Sequence, residues 1–411
     1  MNILYIEHYA GSPEMGMEFR PYYLAREWVK QGHKVTMIAG DYSHLRKKNP
    51  TVDHDMQKET IDGIDYYWLK TGRYSGNGAK RAMTMLRFCR KLRKWEKWIV
   101  NEIKPDVVIS SSTYPIDSIP ASKIAKKANK AKHIHEVHDM WPSTLIEIGG
   151  MPKWNPFVVV MQYGENFAYK HADAVVSLLE YSKDYMISHG LKPEKFHCIP
   201  NGIVIEEWES PKELPSEHLE LFRKLKDENK YVVGYFGGHA LSNCLETLLD
   251  AAKKMNGVSE YSDVHIVLVG DGVTKEQLMK EAKDADLKNI SFLPPIVKTA
   301  VPTLTENFDC VYIGAIDSPL YRFGVCMNKM FDGMMAGKPI IFAINAPPTL
   351  VERTGCGLII KPEDPDAIVS AISQMRSMDN SAREQMGRKG KEEVLNGYTY
   401  EKLAEKFSEL F

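Results

Sequence analysis

The chain has 411 residues, 53 Lys and Arg against 54 Asp and Glu, and hydrophobic and charged fractions of 44% and 26%, which excludes a disordered or low-complexity chain. One core of ordinary size does not extend over such a length, so two domains of roughly 200 residues with a cleft between them are expected. The near-zero net charge hides an asymmetry: residues 1–203 hold 29 basic against 22 acidic side chains, about +7, and residues 204–411 hold 24 against 32, about −8.

The opening NILYIEHY is a short apolar run, followed by the loop AGSPEMG, a helical pattern from Glu18 to Gln31 and a second buried run at 35–40. Strand, loop, helix, strand is a βαβ beginning. Met1 to His8 breaks into charge too early for a secretory leader, and no apolar run approaches the roughly 18 residues of a bilayer span, so a cytoplasmic chain is expected. Further strands are predicted at 64–70, 106–112, 132–139 and 173–179, with helical segments between most of them. HCIPNGI (197–203) closes this series. After a polar helical segment at 211–229, a second series runs through 231–238, 264–272, 290–296, 309–315, 339–344 and 357–360. Two doubly wound α/β domains with parallel sheets follow, and ligands in such sheets sit beyond the carboxyl ends of the strands.

The segment from Lys80 to Lys104 carries nine basic and two acidic residues, with Met83, Leu86, Phe88, Leu92, Trp95, Trp98 and Ile99 between them. As a helix it suits an anionic membrane surface, or it is a domain helix with a solvated face. Nucleic acid is not expected, because no recognisable nucleic-acid module accompanies the charge.

HIHEVHDMWP places His133, His135, Glu136, His138 and Asp139 in one stretch. Strand alternation puts His133 and His135 on one face and Glu136 and His138 on the other, and the spacing is not H-E-x-x-H, which argues against zinc. His138 and Asp139 at the carboxyl end are placed to meet a polar ligand. The D-x-D tripeptides at 53–55, 284–286 and 364–366 follow no strand and read as caps or surface. The six cysteines show no C-x-x-C pattern and read as reduced thiols, and neither a metal nor a cofactor is expected.

In the second series, Gly237 and Gly238 stand at a strand-to-helix turn where backbone amides can approach a diphosphate. No G-x-G-x-x-G accompanies them, so a dinucleotide site of the usual kind is not expected. Gly270 in VLVGDG and Pro295 and Ile296 in FLPPI end strands within reach of a nucleotide, and Lys298 offers a mobile cation or a solvated surface charge. YRFGVCMNKMFDGMMAGKP (321–339) reads as a Gly-containing loop opening a helix with Asn328, Lys329 and Asp332. Such a helix start draws phosphate or sugar oxygens, and a carboxylate one turn on can hold a ribose hydroxyl pair.

Taken in order, the N-terminal loop HYAGSPEMGMEFRPYYLAREWVKQGHKVTMIAG, EVHDMWP, IPNGI, YFGG, VLVGDG, FLPPI and FGVCMNKMFDGMMAGKP resemble the retaining glycosyltransferases of family 4, over nearly the whole chain. The closest likeness is to the branch that builds bacterial O-antigen and capsule chains, including N-acetyl-fucosamine-type transferases. The resemblance implies the GT-B arrangement: an acceptor-binding domain at 1–203, a donor-binding domain at 204–395, and a C-terminal helix at 396–411 returning to the first. It implies front-face transfer of a sugar from a UDP-sugar to a polyprenyl-diphosphate-linked saccharide, without a structural metal.

On that resemblance His138 meets the donor sugar, Asp332 is the ribose acid, Gly237 and Gly238 form the diphosphate turn, and Gly324, Val325 and Asn328 line the donor loop. Gly16, Glu18 and Arg20 become candidates for acceptor or phosphate contacts. Two departures stand out. The family's pair of glutamates eight positions apart falls on Gly324 and Asp332, so the first carboxylate is absent, and its Arg and Lys after the first C-domain strand fall on Gly238 and Asn243. Replacement cations are then sought among Arg322, Lys329, Lys298 and Arg20. A nucleotide-sugar epimerase of the same fold and a non-catalytic nucleotide-sugar-binding subunit are the alternative readings.

Overall fold

The apolar runs of the sequence assemble into two separate sheets in the computed structural model, which describes residues 1–16, 19–76 and 78–411. Residues 1–200 with 400–411 form one unit and residues 201–399 the other.

The first unit contains β1 (Asn2–Ile6), β2 (Lys34–Gly40), β3 (Gln57–Ile61), β4 (Ile64–Leu69), β5 (Val107–Ser110), β6 (Lys132–Val137), β7 (Ala174–Ser177) and β8 (Phe196–Cys198). Their order is β3-β4-β2-β1-β5-β6-β7-β8. Every pairing is parallel except β3 with β4, an edge hairpin closed by Asp62 and Gly63, both at positive φ. A two-residue Asp-Gly connection has the backbone twist that such a hairpin needs. β1 and β5 are buried along almost their whole length, as expected for central strands covered by helices on both faces.

The second unit contains β9 (Tyr231–Gly238), β10 (Val264–Asp271), β11 (Ile290–Leu293), β12 (Cys310–Gly314), β13 (Ile340–Ala343) and β14 (Gly357–Ile359), in the order β11-β10-β9-β12-β13-β14 with all pairings parallel. The strand order reverses between β9 and β12, which makes the carboxyl ends of these two strands the switch point of the sheet. Successive residues of β9 feed opposite cores: Val232 and Phe236 pack with Phe308 and Met330, whereas Val233 and Tyr235 pack with Leu248 and Ile341.

The helix Tyr400–Ser408 belongs to the first unit. It packs on the helix Phe19–Lys30, where the buried Trp28 donates its indole N–H to the carbonyl of Ala404 at 3.2 Å and meets the Phe407 ring at 5.2 Å between centroids. Among the described residues no helix is long and apolar enough to cross a membrane.

Candidate functional site

At the switch point of the second unit, the carboxyl ends of β9 and β10 touch through their backbones. Gly270 has φ +151°, and a Cβ there would stand 1.9 Å from the carbonyl oxygen of Gly237, so only glycine permits this approach. Tyr235 donates its hydroxyl to the carbonyl of Gly238 at 2.6 Å, and the Asn243 amide donates to the same oxygen at 2.9 Å. Lys329, from the helix Asn328–Met335, reaches into this turn. Its Nζ donates to the Tyr235 hydroxyl at 3.0 Å and to Asn243 Oδ1 at 2.7 Å, and lies 4.6 Å from the centre of the Tyr235 ring. A Cβ on Gly237 would be 3.8 Å from the same nitrogen.

Each partner of this ammonium named here is neutral, because burial pushes the Tyr235 phenol up and keeps it protonated. Burial pushes Lys329 the other way, down to about 8, since desolvation disfavours the charged form of each group. His239, next in the turn, is fully buried, with no hydrogen-bond partner on either ring nitrogen among the described residues. Burial, with Lys275 and Lys329 nearby, holds its pKa at about 4 against a weaker opposing pull from Asp271.

Asp332, one turn beyond Lys329, is 5% exposed and takes the Lys298 ammonium on both oxygens, at 2.9 and 3.0 Å. Asn328 is exposed at the first residue of that helix. Gly324, at φ +101°, ends the short turn Pro319–Phe323, and Val325 packs against the core. Pro295 is exposed and Ile296 half-buried beyond β11. Arg322 lies in the turn Pro319–Phe323, where its guanidinium donates to the carbonyl of Pro319 at 2.6 Å and covers the Phe323 ring at 4.1 Å.

The first unit holds its own buried polar cluster at the ends of β5 and β6. Glu136 accepts from Arg20 Nε at 3.0 Å and Nη2 at 2.8 Å on one oxygen, and from Tyr5 at 2.5 Å and Ser111 at 2.6 Å on the other. Burial alone would raise this carboxyl, but Arg20 and His138 beside it hold it well below the usual range. Because Glu136 is ionised and the Ser111 proton already points to it, His138 Nε2 must carry a proton to lie 2.7 Å from Ser111 Oγ and 3.1 Å from Glu136. In the neutral ring Nδ1 is then the acceptor, which suits a sugar hydroxyl.

Two expectations for this unit, for Arg20 and Asp139, need correction. Arg20 does not present its charge to a ligand: it is 5% exposed, tied to Glu136 and to the carbonyls of Pro200 and Ile199 at 2.5 and 2.8 Å. Asp139 does not present its carboxylate to a ligand, since Met140 N, the Trp141 indole and the Thr144 hydroxyl occupy it at 2.8, 3.2 and 2.6 Å. Gly16 ends the turn Pro13–Met15 with φ +70°, beside the Lys47 stem. Glu18 lies outside the described residues. Asp364 of the third D-x-D caps the helix Pro365–Ser377, accepting from Asp366 N and Ala367 N at 3.1 Å.

Sequence reasoning passed over Tyr235, His239 and the Ser111–Glu136 pair. The available signal was the alternation that put Glu136 and His138 on one face; Tyr235 and His239 flank the noted glycines but carry no motif of their own.

The model of Glycosyltransferase Family 4 matches residues 15–207 and that of Glycosyl transferases group 1 matches residues 217–393. WbjE of Pseudomonas aeruginosa, named as a glycosyltransferase, is 22% identical over 285 residues, 67% of each chain. WcaI of Escherichia coli K12, named as a colanic acid biosynthesis glycosyl transferase, is 23% identical over 281 residues, 66% of each chain. Among solved structures, HepE of Anabaena in complex with UDP and glucose superposes with a TM-score of 0.65 at 16% identity, over 100% of this chain and 98% of that one. The chain therefore belongs to the glycosyltransferases of GT-B fold, with a family 4 first half and a group 1 second half.

Proposed function

We propose that the protein is a retaining glycosyltransferase that moves an N-acetylated hexosamine or deoxyhexosamine from a UDP-sugar to a lipid-linked saccharide during surface polysaccharide synthesis, at the cytoplasmic face of the membrane. The observation that carries this reading is Lys329, held between Tyr235 and Asn243 beside the Gly237 turn. A cation with neutral partners at the switch point of a parallel sheet suits a diphosphate, and it stands against Asn243, where the family pattern has a basic residue. The UDP bound by HepE and the colanic acid named for WcaI support the base and the pathway class.

In the proposed reaction the bond from the anomeric carbon to the diphosphate breaks with its electron pair going to the phosphate. The acceptor oxygen bonds that carbon on the same face, and its proton passes to the departing phosphate oxygen. Lys329 offsets the charge that develops there, which places most of the catalysis in positioning and electrostatic support. Asp332 takes the ribose hydroxyls, with Lys298 moving from its carboxylate towards phosphate. His138 offers Nδ1 to a sugar hydroxyl. The proposed transfer uses neither a protein nucleophile nor a structural metal.

A thermal-shift panel of UDP, GDP, dTDP and their sugars tests the donor. A ligand at 100 times its dissociation constant adds about 2.7 kcal/mol of apparent stability, so UDP and one UDP-sugar are expected to raise the melting point and GDP to leave it unchanged. Equal responses to all three would remove the base assignment. Appearance of a new UDP-sugar without any acceptor would replace transfer by epimerisation.

A further inference from the structure

The helix Ala79–Trp98 turns Thr84, Met85, Phe88 and Leu92 into the first unit, which accounts for one apolar stripe of helical period. Its outer face is not uniformly polar. Met83 and Leu86 stand 47% and 46% exposed, and on the helix Pro156–His171 Val160 and Tyr163 stand 42% and 64% exposed. Leu86, Val160 and Tyr163 line one open groove of about 1020 Å³, together with Ile116, Ile119 and Pro120.

The same groove is lined by Arg87, Arg90, Lys91, Arg93 and Lys94, and none of its described lining residues is acidic. Lys91 is answered by Asp55, and Arg87 donates to the carbonyl of Thr71 at 3.1 Å. Arg90, Arg93 and Lys94 are exposed, the last 5.6 Å from the Trp95 ring. A surface built only for solubility intersperses both signs and keeps large apolar side chains apart.

The occupant must meet cations and methyl groups together. A second copy of this chain on a two-fold axis would bring like charges face to face. A nucleic acid would satisfy the cations but leave Leu86, Val160 and the Tyr163 ring without apolar partners. A bilayer with anionic headgroups supplies phosphate to the one set and the acyl boundary to the other. We propose that this groove seats an anionic phospholipid at a bilayer surface, with Arg90, Arg93 and Lys94 on headgroup phosphate and Leu86, Val160 and Tyr163 at the acyl boundary.

Co-sedimentation of the full chain with phosphatidylcholine vesicles, with and without phosphatidylglycerol, tests it. Wild type is expected to bind the mixed vesicles and not the neutral ones. The triple variant Arg90→Glu, Arg93→Glu, Lys94→Glu should weaken binding roughly hundredfold, and Leu86→Ser, Val160→Ser, Tyr163→Ser about tenfold or more. All six side chains are exposed or line the groove, so both variants should melt with the wild type by circular dichroism. A polar third variant, Lys224→Glu with Lys226→Glu in the second unit, should bind as wild type. No binding by wild type, unchanged binding by the charge-reversed variant, or full binding by the apolar-to-serine variant would each overturn the proposal; the last would leave a purely electrostatic face.

Discussion

Arg20 and Lys329 are both cations drawn out of water, and the two units treat them in opposite ways. Arg20 faces Glu136, a fully buried carboxylate, and its remaining donors go to the carbonyls of Ile199 and Pro200. Lys329 has a hydroxyl and an amide oxygen, and its pKa falls to about 8. The first charge is answered within the protein, so that cluster is closed and structural apart from the edge that His138 presents. The second is left for something to answer, which is how a binding site for an anion differs from a buried ion pair.

The comparison breaks most sharply at Glu136. Removing one partner of a buried pair leaves the other charge unanswered, at a cost of about 3–5 kcal/mol, so Glu136→Ala should lower the unfolding free energy of the first unit by that much, read as a lower denaturant midpoint at an unchanged slope. A loss below about 1 kcal/mol, the range of exposed pairs, would mean that Arg20 finds water and the cluster is open. Lys329→Ala should do the reverse, leaving stability near wild type while lowering kcat by about 10²- to 10³-fold, the usual effect of removing a charge stabiliser. Lys338→Ala, which removes a cation that reaches the Glu306 carbonyl at 3.3 Å, should leave turnover nearly unchanged. Equal small effects from the two lysines would end the assignment of Lys329.

Periodicity made the fold class legible because the central strands are near-continuous apolar runs: YVVGYFGG ends where β9 ends, and VHIVLVGDG runs one residue past the end of β10. β3 was not read because QKETI is a polar edge strand, although the Asp62-Gly63 pair before IDYYWL is a hairpin signal. In the candidate site, helix and turn could be placed from spacing, but partner choice could not. Arg20 and Glu136 are 116 positions apart and Lys329 and Asn243 are 86 apart. Whether a cation meets a carboxylate or an amide is decided by the crossing of distant strands, which a one-dimensional pattern does not contain. Asp139 shows the opposite limit, since its three partners lie within five residues and a local turn was enough to occupy it.

The pH dependence of UDP binding sharpens the contrast further. A lysine depressed to about 8 is charged below that pH and neutral above it, whereas a bound diphosphate favours the charged form. Affinity should therefore be highest below pH 8 and fall by up to about tenfold per unit above it, until the raised pKa of the bound state is reached. Titration calorimetry from pH 7 to 10 would read this, with proton uptake visible as a dependence on buffer ionisation heat. The linked stability has the opposite sign: the unfolded chain binds the additional proton between about 8 and the ordinary lysine value, so unliganded stability should rise with pH across that window.

Asn243→Asp is the smallest change that would make the second unit resemble the first. It keeps the shape of the side chain but gives Lys329 a carboxylate at the position now taken by Oδ1. The lysine pKa should rise and its charge should be answered before any ligand arrives, so the fall in affinity above pH 8 should disappear. Because a hydrogen bond to a charged group is worth about 1.5–3 kcal/mol, UDP then has to displace the new carboxylate and should bind roughly ten- to hundredfold more weakly at neutral pH. Uridine, which carries no phosphate, should bind the variant and the wild type alike. If UDP affinity and its pH profile survive Asn243→Asp unchanged, Lys329 does not face the diphosphate, and the difference between the two cations is one of packing alone.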